Sequence, residues 1–205
     1  MSWWDSAYRS GRVNWDPGAY DGHLPWFLES YEVPPGRLLD PGCGNGKSAV
    51  WLAEQGFQVV GVDLAPSAVE QARRLARRRG VEDRVSFYLG RFPDDLPEAN
   101  GGGPLRPASF DLITERAFLQ HLGHGAALRR TVDLLGDLLK PEGLFYSLMV
   151  AEEGRSNLWG IVRWSQREIR DALETRFSII LMRHDVFTPG ELGSVPAWIT
   201  ISKRR

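Results

Sequence analysis

A disulfide framework is excluded at once, because the chain has a single cysteine, Cys43. A lone cysteine suits a reducing interior, and a cytoplasmic location is expected. An excess of charge of one sign is also missing. Lys and Arg total 25 against 26 Asp and Glu, a formal net charge of -1. No global field recruits nucleic acid or a membrane surface, so neither is expected as a partner. No uncharged run approaches the ~20 residues of a membrane span. The N-terminus lacks the charged-then-apolar pattern of a signal peptide. There is no internal repeat, and no metal is expected. What remains is an ordinary globular composition over 205 residues, 42% hydrophobic and 25% charged. Residues 1–205 read as one domain with room for a substantial core. The residue in excess is tryptophan: four of eight, Trp3, Trp4, Trp15 and Trp26, fall in the first 26 positions.

The informative stretch is Arg37-Leu38-Leu39-Asp40-Pro41-Gly42-Cys43-Gly44-Asn45-Gly46-Lys47-Ser48. Its start reads as a short buried parallel strand ending in a carboxylate. Gly42, Gly44 and Gly46 then allow a tight turn and a close approach of backbone to ligand. Lys47 to Gln55 reads as a helix closed by Gly56. Strand, glycine turn and helix N-terminus make a cradle for a nucleotide-like ligand. The spacing is G-x-G-x-G rather than the dinucleotide G-x-G-x-x-G. An acid at Asp40 is unwelcome beside a pyrophosphate and welcome beside an ammonium group. The turn therefore points from NAD toward S-adenosylmethionine. The next strand, Gln58 to Asp63, ends in a second acid. Asp63 either accepts the ribose hydroxyls or caps the helix that begins near Pro66. Cys43 reads as a small packing residue in the turn.

Residues 1–30 read as an aromatic arm. It either docks on the domain or forms a lid that covers an adenosyl ligand and excludes water. Tryptophan faces also suit a sulfonium cation. A helix is expected from Ala65 to Arg79, with Ala68, Val69, Ala72, Leu75 and Ala76 inward and its arginines in solvent. Val85–Leu89 is the third strand, with Gly90, Arg91 and Phe92 at its end. Residues 93–107 read as a polar loop around Gly101-Gly102-Gly103, outside the core. Phe110–Glu115 is the fourth strand. Glu115 and Arg116 at its carboxyl end form either a salt bridge or a clamp for the zwitterionic methionine tail, with Arg116 on the carboxylate. His121 and His124 follow, each a packing or surface histidine or a general base. A helix over 127–139, a strand over 144–150 and a substrate cover over 151–164 come next. Ser165 and Glu168 form a capping box for a helix over 166–175. Strands over 177–182 and 197–202 close the sheet as an antiparallel pair. The fold class is α/β: a Rossmann-like, doubly wound, mostly parallel seven-stranded sheet.

Taken together, the chain resembles the class I S-adenosylmethionine-dependent methyltransferases. Within them it is similar to the thiopurine S-methyltransferase family, with its thiol, halide and tellurite-resistance relatives. The resemblance rests on Trp4-Asp5…Tyr8…Gly11…Trp15-Asp16-Pro17-Gly18, on Leu39 to Gly46, and on Phe110-Asp111-Leu112-Ile113…Glu115-Arg116. It implies that Trp4, Tyr8 and Trp15 line the cofactor pocket and that Gly42 and Gly44 lie under the methionine tail, near Asp40. It puts Asp63 and Leu64 at the ribose, Arg91 and Phe92 at the adenine, and Glu115 and Arg116 at the inner wall. Many members carry Asp where this chain has Arg91, which leaves only a main-chain adenine contact there. The implied reaction is in-line transfer of a methyl group to a small-molecule acceptor, releasing S-adenosylhomocysteine. A soft acceptor such as a thiol needs no strong base; an alcohol or phenol would draw on Glu115, His121 or His124. The alternatives are a small-molecule O- or N-methyltransferase and a noncatalytic cofactor-binding protein.

Overall fold

The computed structural model describes residues 2–97, 103–153, 162–188, 190 and 193–205. In chain order these form α1 (Trp3–Ser10), α2 (Leu24–Ser30), β1 (Arg37–Pro41), α3 (Lys47–Glu54), β2 (Gln58–Asp63), α4 (Pro66–Arg79), β3 (Val85–Leu89) and β4 (Phe110–Arg116). After a 3-10 turn at Leu119–Leu122 come α5 (Ala126–Leu138), β5 (Leu139–Val150), α6 (Gln166–Leu173), β6 (Phe177–Phe187) and β7 (Val195–Arg204). All seven strands join one sheet in the order β3-β2-β1-β4-β5-β7-β6. The first five run parallel, and β7 is antiparallel to both β5 and β6. This is the doubly wound sheet with an antiparallel closing pair that the alternation of segments predicts.

Strand order reverses between β1 and β4, and the crevice at such a switch point lies over the strands' carboxyl ends. The apolar runs of β1, β2 and β4 are buried because helices cover both faces. Two cores result. One packs Leu38, Val59, Leu112, Tyr146 and Ile199 against α2, α3 and α4. The other packs Leu39, Val60, Ile113, Phe145 and Trp198 against α5 and α6. Among the described residues no helix is long and apolar enough to cross a membrane.

Several boundaries differ from expectation for identifiable reasons. β6 and β7 extend well past 177–182 and 197–202, because the backbone pairing continues through His184 opposite Trp198 and Asp185 opposite Ala197 to Phe187 opposite Val195. β5 begins at Leu139 through an irregular register against Phe110 and Leu112. Within the expected polar loop, Leu105 is buried in the second core, and the Arg37 guanidinium donates to the Pro104 carbonyl, 2.5 Å. That half of the loop is structural. Gly101 and Gly102 lie outside the described residues. So do Gly154, Trp159 and Gly160 of the expected substrate cover. Its flank, Trp164, is fully buried and pairs with Ala151, so this residue belongs to the core. The capping box forms as read, Ser165 and Glu168 bonding reciprocally.

Gly46 shows why the turn needs glycine. Its φ is +78°, and a Cβ there would stand 2.7 Å from the Ala72 Cβ and 2.8 Å from the Phe87 ring. Gly46→Ala is expected to cost about 3 kcal/mol from overpacking and a strained φ. Urea unfolding of the two proteins checks this.

Candidate active site

The glycine turn runs over the carboxyl ends of β1 and β2. Gly42 and Gly44 have φ of +71° and +55°, and each is closely covered. A Cβ on Gly42 would lie 2.7 Å from Phe118, and one on Gly44 would lie 2.5 Å from the Tyr8 hydroxyl. Asp63 braces this turn. Its Oδ2 accepts the Gly44 N–H at 2.9 Å and its Oδ1 the Ala65 N–H at 2.9 Å. Burial pushes its pKa up despite these bonds. Both sequence readings of Asp63 thus meet a third role, holding turn and helix entrance together. Half-buried Leu64 sits beside it. Cys43 packs against Gly61, and burial pushes its thiol pKa up, in keeping with a packing residue.

A small inner cavity lies next to the turn. It is lined by Asp21, Leu24, Asp40, Ser48, Thr114, Glu115, Arg116 and Tyr146. Its volume is about 10 Å³, room for one water. Three residues singled out in the sequence, Asp40, Glu115 and Arg116, therefore meet here. Asp40 is 6% exposed and its side chain makes no hydrogen bond among the described residues. Burial, then the neighbouring Asp63 and Glu115 charges, push its pKa up to about 8.

Glu115 and Arg116 do not pair with each other. Glu115 Oε2 accepts the Phe118 and Leu119 N–H groups at 2.9 and 3.2 Å, and its Oε1 accepts from the Ser147 hydroxyl. It anchors the turn after β4, and burial pushes its pKa up to about 7. Arg116 lies over the Phe187 ring at 4.6 Å, with its Nε buried and unpartnered among the described residues. Burial lowers its pKa, opposed by the charge of Asp21.

Sequence reasoning passed over Asp21 and Tyr146. Asp21 Oδ2 accepts the Tyr146 hydroxyl at 2.7 Å, and its Oδ1 accepts the His23 N–H and Nδ1 at 3.0 and 2.9 Å. Burial alone would raise its pKa; these bonds and the Arg116 charge outweigh it and hold the carboxyl below its ordinary value. Tyr146 reads from sequence as one more apolar strand residue. Its partner is 125 positions away, so no local pattern marks the pair.

The arm closes the site from above. Trp4 and Trp15 meet edge to face at 5.2 Å, Trp3 joins both, and Tyr8 packs on Trp15 at 5.9 Å. Burial, then the Asp63 charge, raise the Tyr8 pKa. Three aspartates fasten the arm. Asp5 accepts the Ser67 N–H at 2.8 Å, filling the cap that Ala65 cannot supply to α4. Asp16 binds Lys47 Nζ at 2.7 Å and Asn45 Nδ2 at 2.6 Å. The Asp21 N–H donates to Ser48 Oγ at 3.1 Å. A larger hollow of about 420 Å³ opens along the arm at Gly11, Arg12, Val13, Asn14 and Asp16, away from the buried acids.

The remaining candidates spread outward. The Arg91 N–H already donates to the Asp95 carbonyl, and its own carbonyl accepts the Asp95 N–H. The expected main-chain adenine contact at Arg91 thus has no free donor. Phe92 is buried in the second core and packs on Phe118 at 5.7 Å. His121 is exposed at the arm's margin, its ring 4.6 Å from Trp4. His124 packs on Trp164 at 4.4 Å and lies 3.8 Å from Glu168.

Comparison with known proteins decides the family. A sequence model described as a methyltransferase domain matches residues 34–178, from the turn before β1 into β6. The chain belongs to the methyltransferase-domain family. It is 36% identical over 123 residues to a ubiquinone biosynthesis O-methyltransferase of Xylella fastidiosa, covering 60% of the chain and 45% of that protein. It is 34% identical over 153 residues to probable thiol methyltransferase 2 of Arabidopsis thaliana, covering 75% of the chain and 63% of that protein. It therefore spans about half to just under two thirds of these relatives' lengths. Among solved structures it superposes on the 1,6-didemethyltoxoflavin-N1-methyltransferase of Burkholderia thailandensis with a TM-score of 0.71. Identity there is 23%, over 97% of this chain and 84% of that one. That structure holds 1,6-didemethyltoxoflavin and S-adenosylhomocysteine.

Proposed function

We propose that this methyltransferase moves a methyl group from S-adenosylmethionine to a small molecule, and that the acceptor is a soft nucleophile such as a thiol. The observation that carries the cofactor reading is Asp40: a buried acid without a side-chain hydrogen bond among the described residues, opening on a cavity it shares with Arg116. An acid and a guanidinium on one cavity complement an ammonium and a carboxylate. The glycine turn adds backbone without Cβ at the same place. The polar groups fit the cofactor. The room does not, with the arm seated as described, so binding requires the arm to shift. Bound S-adenosylmethionine supplies an already activated methyl group.

The chain's residues contribute alignment and dryness. Asp40 and Arg116 hold the tail, and the packed rings of Trp4, Tyr8 and Trp15 exclude water. The soft-acceptor reading draws on the bases. Glu115 is 1% exposed and its carboxylate is bonded to Phe118, Leu119 and Ser147, so it is held on the chain's own groups rather than presented to an acceptor. His121 and His124 lie at the exposed edge. A thiolate needs neither. The similarity to a probable thiol methyltransferase points the same way, as does the sequence resemblance to the thiopurine S-methyltransferase family.

The test is S-adenosylhomocysteine release with a panel of thiols, iodide, phenols and amines, comparing wild type with Asp63→Ala. Turnover of thiols or iodide, lost in the variant, is expected. Turnover of phenols or amines alone would replace the soft acceptor by an O- or N-acceptor.

A further inference from the structure

Asp21 belongs to the arm, yet its carboxylate lines the same inner cavity as Asp40 and Arg116. It is 4% exposed. Its Oδ1 already accepts twice from His23, while its Oδ2 accepts only from Tyr146 and keeps one lone pair. A further observation marks the cavity as built for a polar ligand. Thr114 is 4% exposed, lines the cavity, and its Oγ1 has no partner among the described residues. The Arg116 Nε is buried without a partner as well. Burying unpaired polar atoms is costly, so Asp40, Thr114 Oγ1 and Arg116 Nε around one cavity call for a common partner, to which Asp21 Oδ2 can add its remaining lone pair.

The chemistry of that partner follows from the count. Asp40, Asp21 Oδ2 and Thr114 Oγ1 are three acceptors, and an ammonium has three N–H donors. Arg116 is the charged donor on this cavity, suited to a carboxylate. Together they complement an α-amino acid zwitterion. A metal ion is the poorer reading, since no three His, Cys, Asp or Glu among the described residues are arranged to hold one.

We infer that Asp21 and Asp40 grip the ammonium of the cofactor's methionine tail from two sides, one on the arm and one on the sheet, so that the tail itself clasps the arm closed. This rests on the cofactor reading above. Tyr146 and His23 are positioning residues: they fix the carboxylate on which the clasp depends. His23 Nε2 also lies 3.6 Å from Asp185 of β6, tying this end of the arm to the sheet's far edge. At about 10 Å³ the cavity cannot admit the tail while the arm is seated as described. Entry of the tail and reseating of Asp21 are therefore one event.

The probes are S-adenosylhomocysteine and 5′-deoxy-5′-methylthioadenosine, which share the adenosyl thioether and differ in the amino-acid part. Calorimetric titration of Asp21→Asn should show about a tenfold loss of affinity for S-adenosylhomocysteine and less than about twofold for the tailless ligand. A second readout uses wild type alone. Hydrogen exchange over residues 3–22 should slow with S-adenosylhomocysteine and stay fast with the tailless ligand. Equal losses for both ligands, no loss for either, or equal protection of the arm by both would overturn the clasp. Failure of wild type to bind either ligand would overturn the cofactor reading beneath it instead.

Discussion

Asp40→Asn is expected to weaken S-adenosylhomocysteine binding by about a hundredfold and to flatten most of its pH dependence. In the free protein, burial and the Asp63 and Glu115 charges push the Asp40 pKa up to about 8, so the group is protonated at pH 6. An ammonium beside it favours the ionised form and lowers that pKa. Binding at pH 6 therefore releases about one proton, and affinity rises with pH until about 8, where the free group is already ionised. Titration calorimetry at pH 6 in buffers of different ionisation enthalpy measures the proton directly. The asparagine variant should release markedly less, the remainder coming from Glu115 on the same cavity. Proton release unchanged in the variant would remove Asp40 from the ammonium site.

The same group sets a stability slope of opposite use. Its folded pKa lies above its unfolded value, so the native state holds the proton that the unfolded state loses. Its contribution is intact below about pH 4 and falls as pH rises toward 8. Asp40→Asn should consequently raise the melting temperature at pH 8 while it abolishes tight binding. That is the expected signature of a charge kept for function at a cost in stability.

Arg116→Gln is expected to cost about a hundredfold in affinity for S-adenosylmethionine and to leave decarboxylated S-adenosylmethionine bound as well or better. The guanidinium is largely buried over Phe187 and compensates the Asp21 charge. Its loss removes the partner of the ligand carboxylate and leaves Asp21 to the ammonium. Removing this buried cation also leaves the buried Asp21 charge less compensated and destabilises the fold. The ligand comparison separates the two effects, because instability weakens both ligands alike. Equal losses for both would show that Arg116 only supports the fold.

How far the sequence reveals this site depends on how local each signal is. The strand, glycine turn and helix around Gly42 to Gly46 are contiguous, and both the turn and the cofactor class follow from them. Strand order follows from the alternation of segments, because right-handed crossovers leave few arrangements. The inner cavity is only half legible. Asp40 and Arg116 end apolar strands and stand out. Asp21 sits in the arm with Asp5 and Asp16, and the contact that ties it to the site is with Tyr146 of β5, 125 positions away. Glu115 misleads in the other direction. Its place beside Arg116 suggests an ion pair or a base, whereas the backbone folds over it after Arg116 and takes its lone pairs. Arg91 misleads likewise, since its N–H is taken by Asp95 four residues on. Leu105 is hidden by its setting, a lone apolar residue between glycines and prolines that the sheet's second core recruits.

The most direct test of the account is an equilibrium titration of the wild-type chain with S-adenosylhomocysteine, followed by tryptophan fluorescence, beside the same titration with NAD. Four tryptophans in or next to the arm make the signal sensitive to its movement. Saturable binding of S-adenosylhomocysteine in the micromolar range is expected, and none of NAD. Saturable NAD binding, or no binding of S-adenosylhomocysteine, would contradict it.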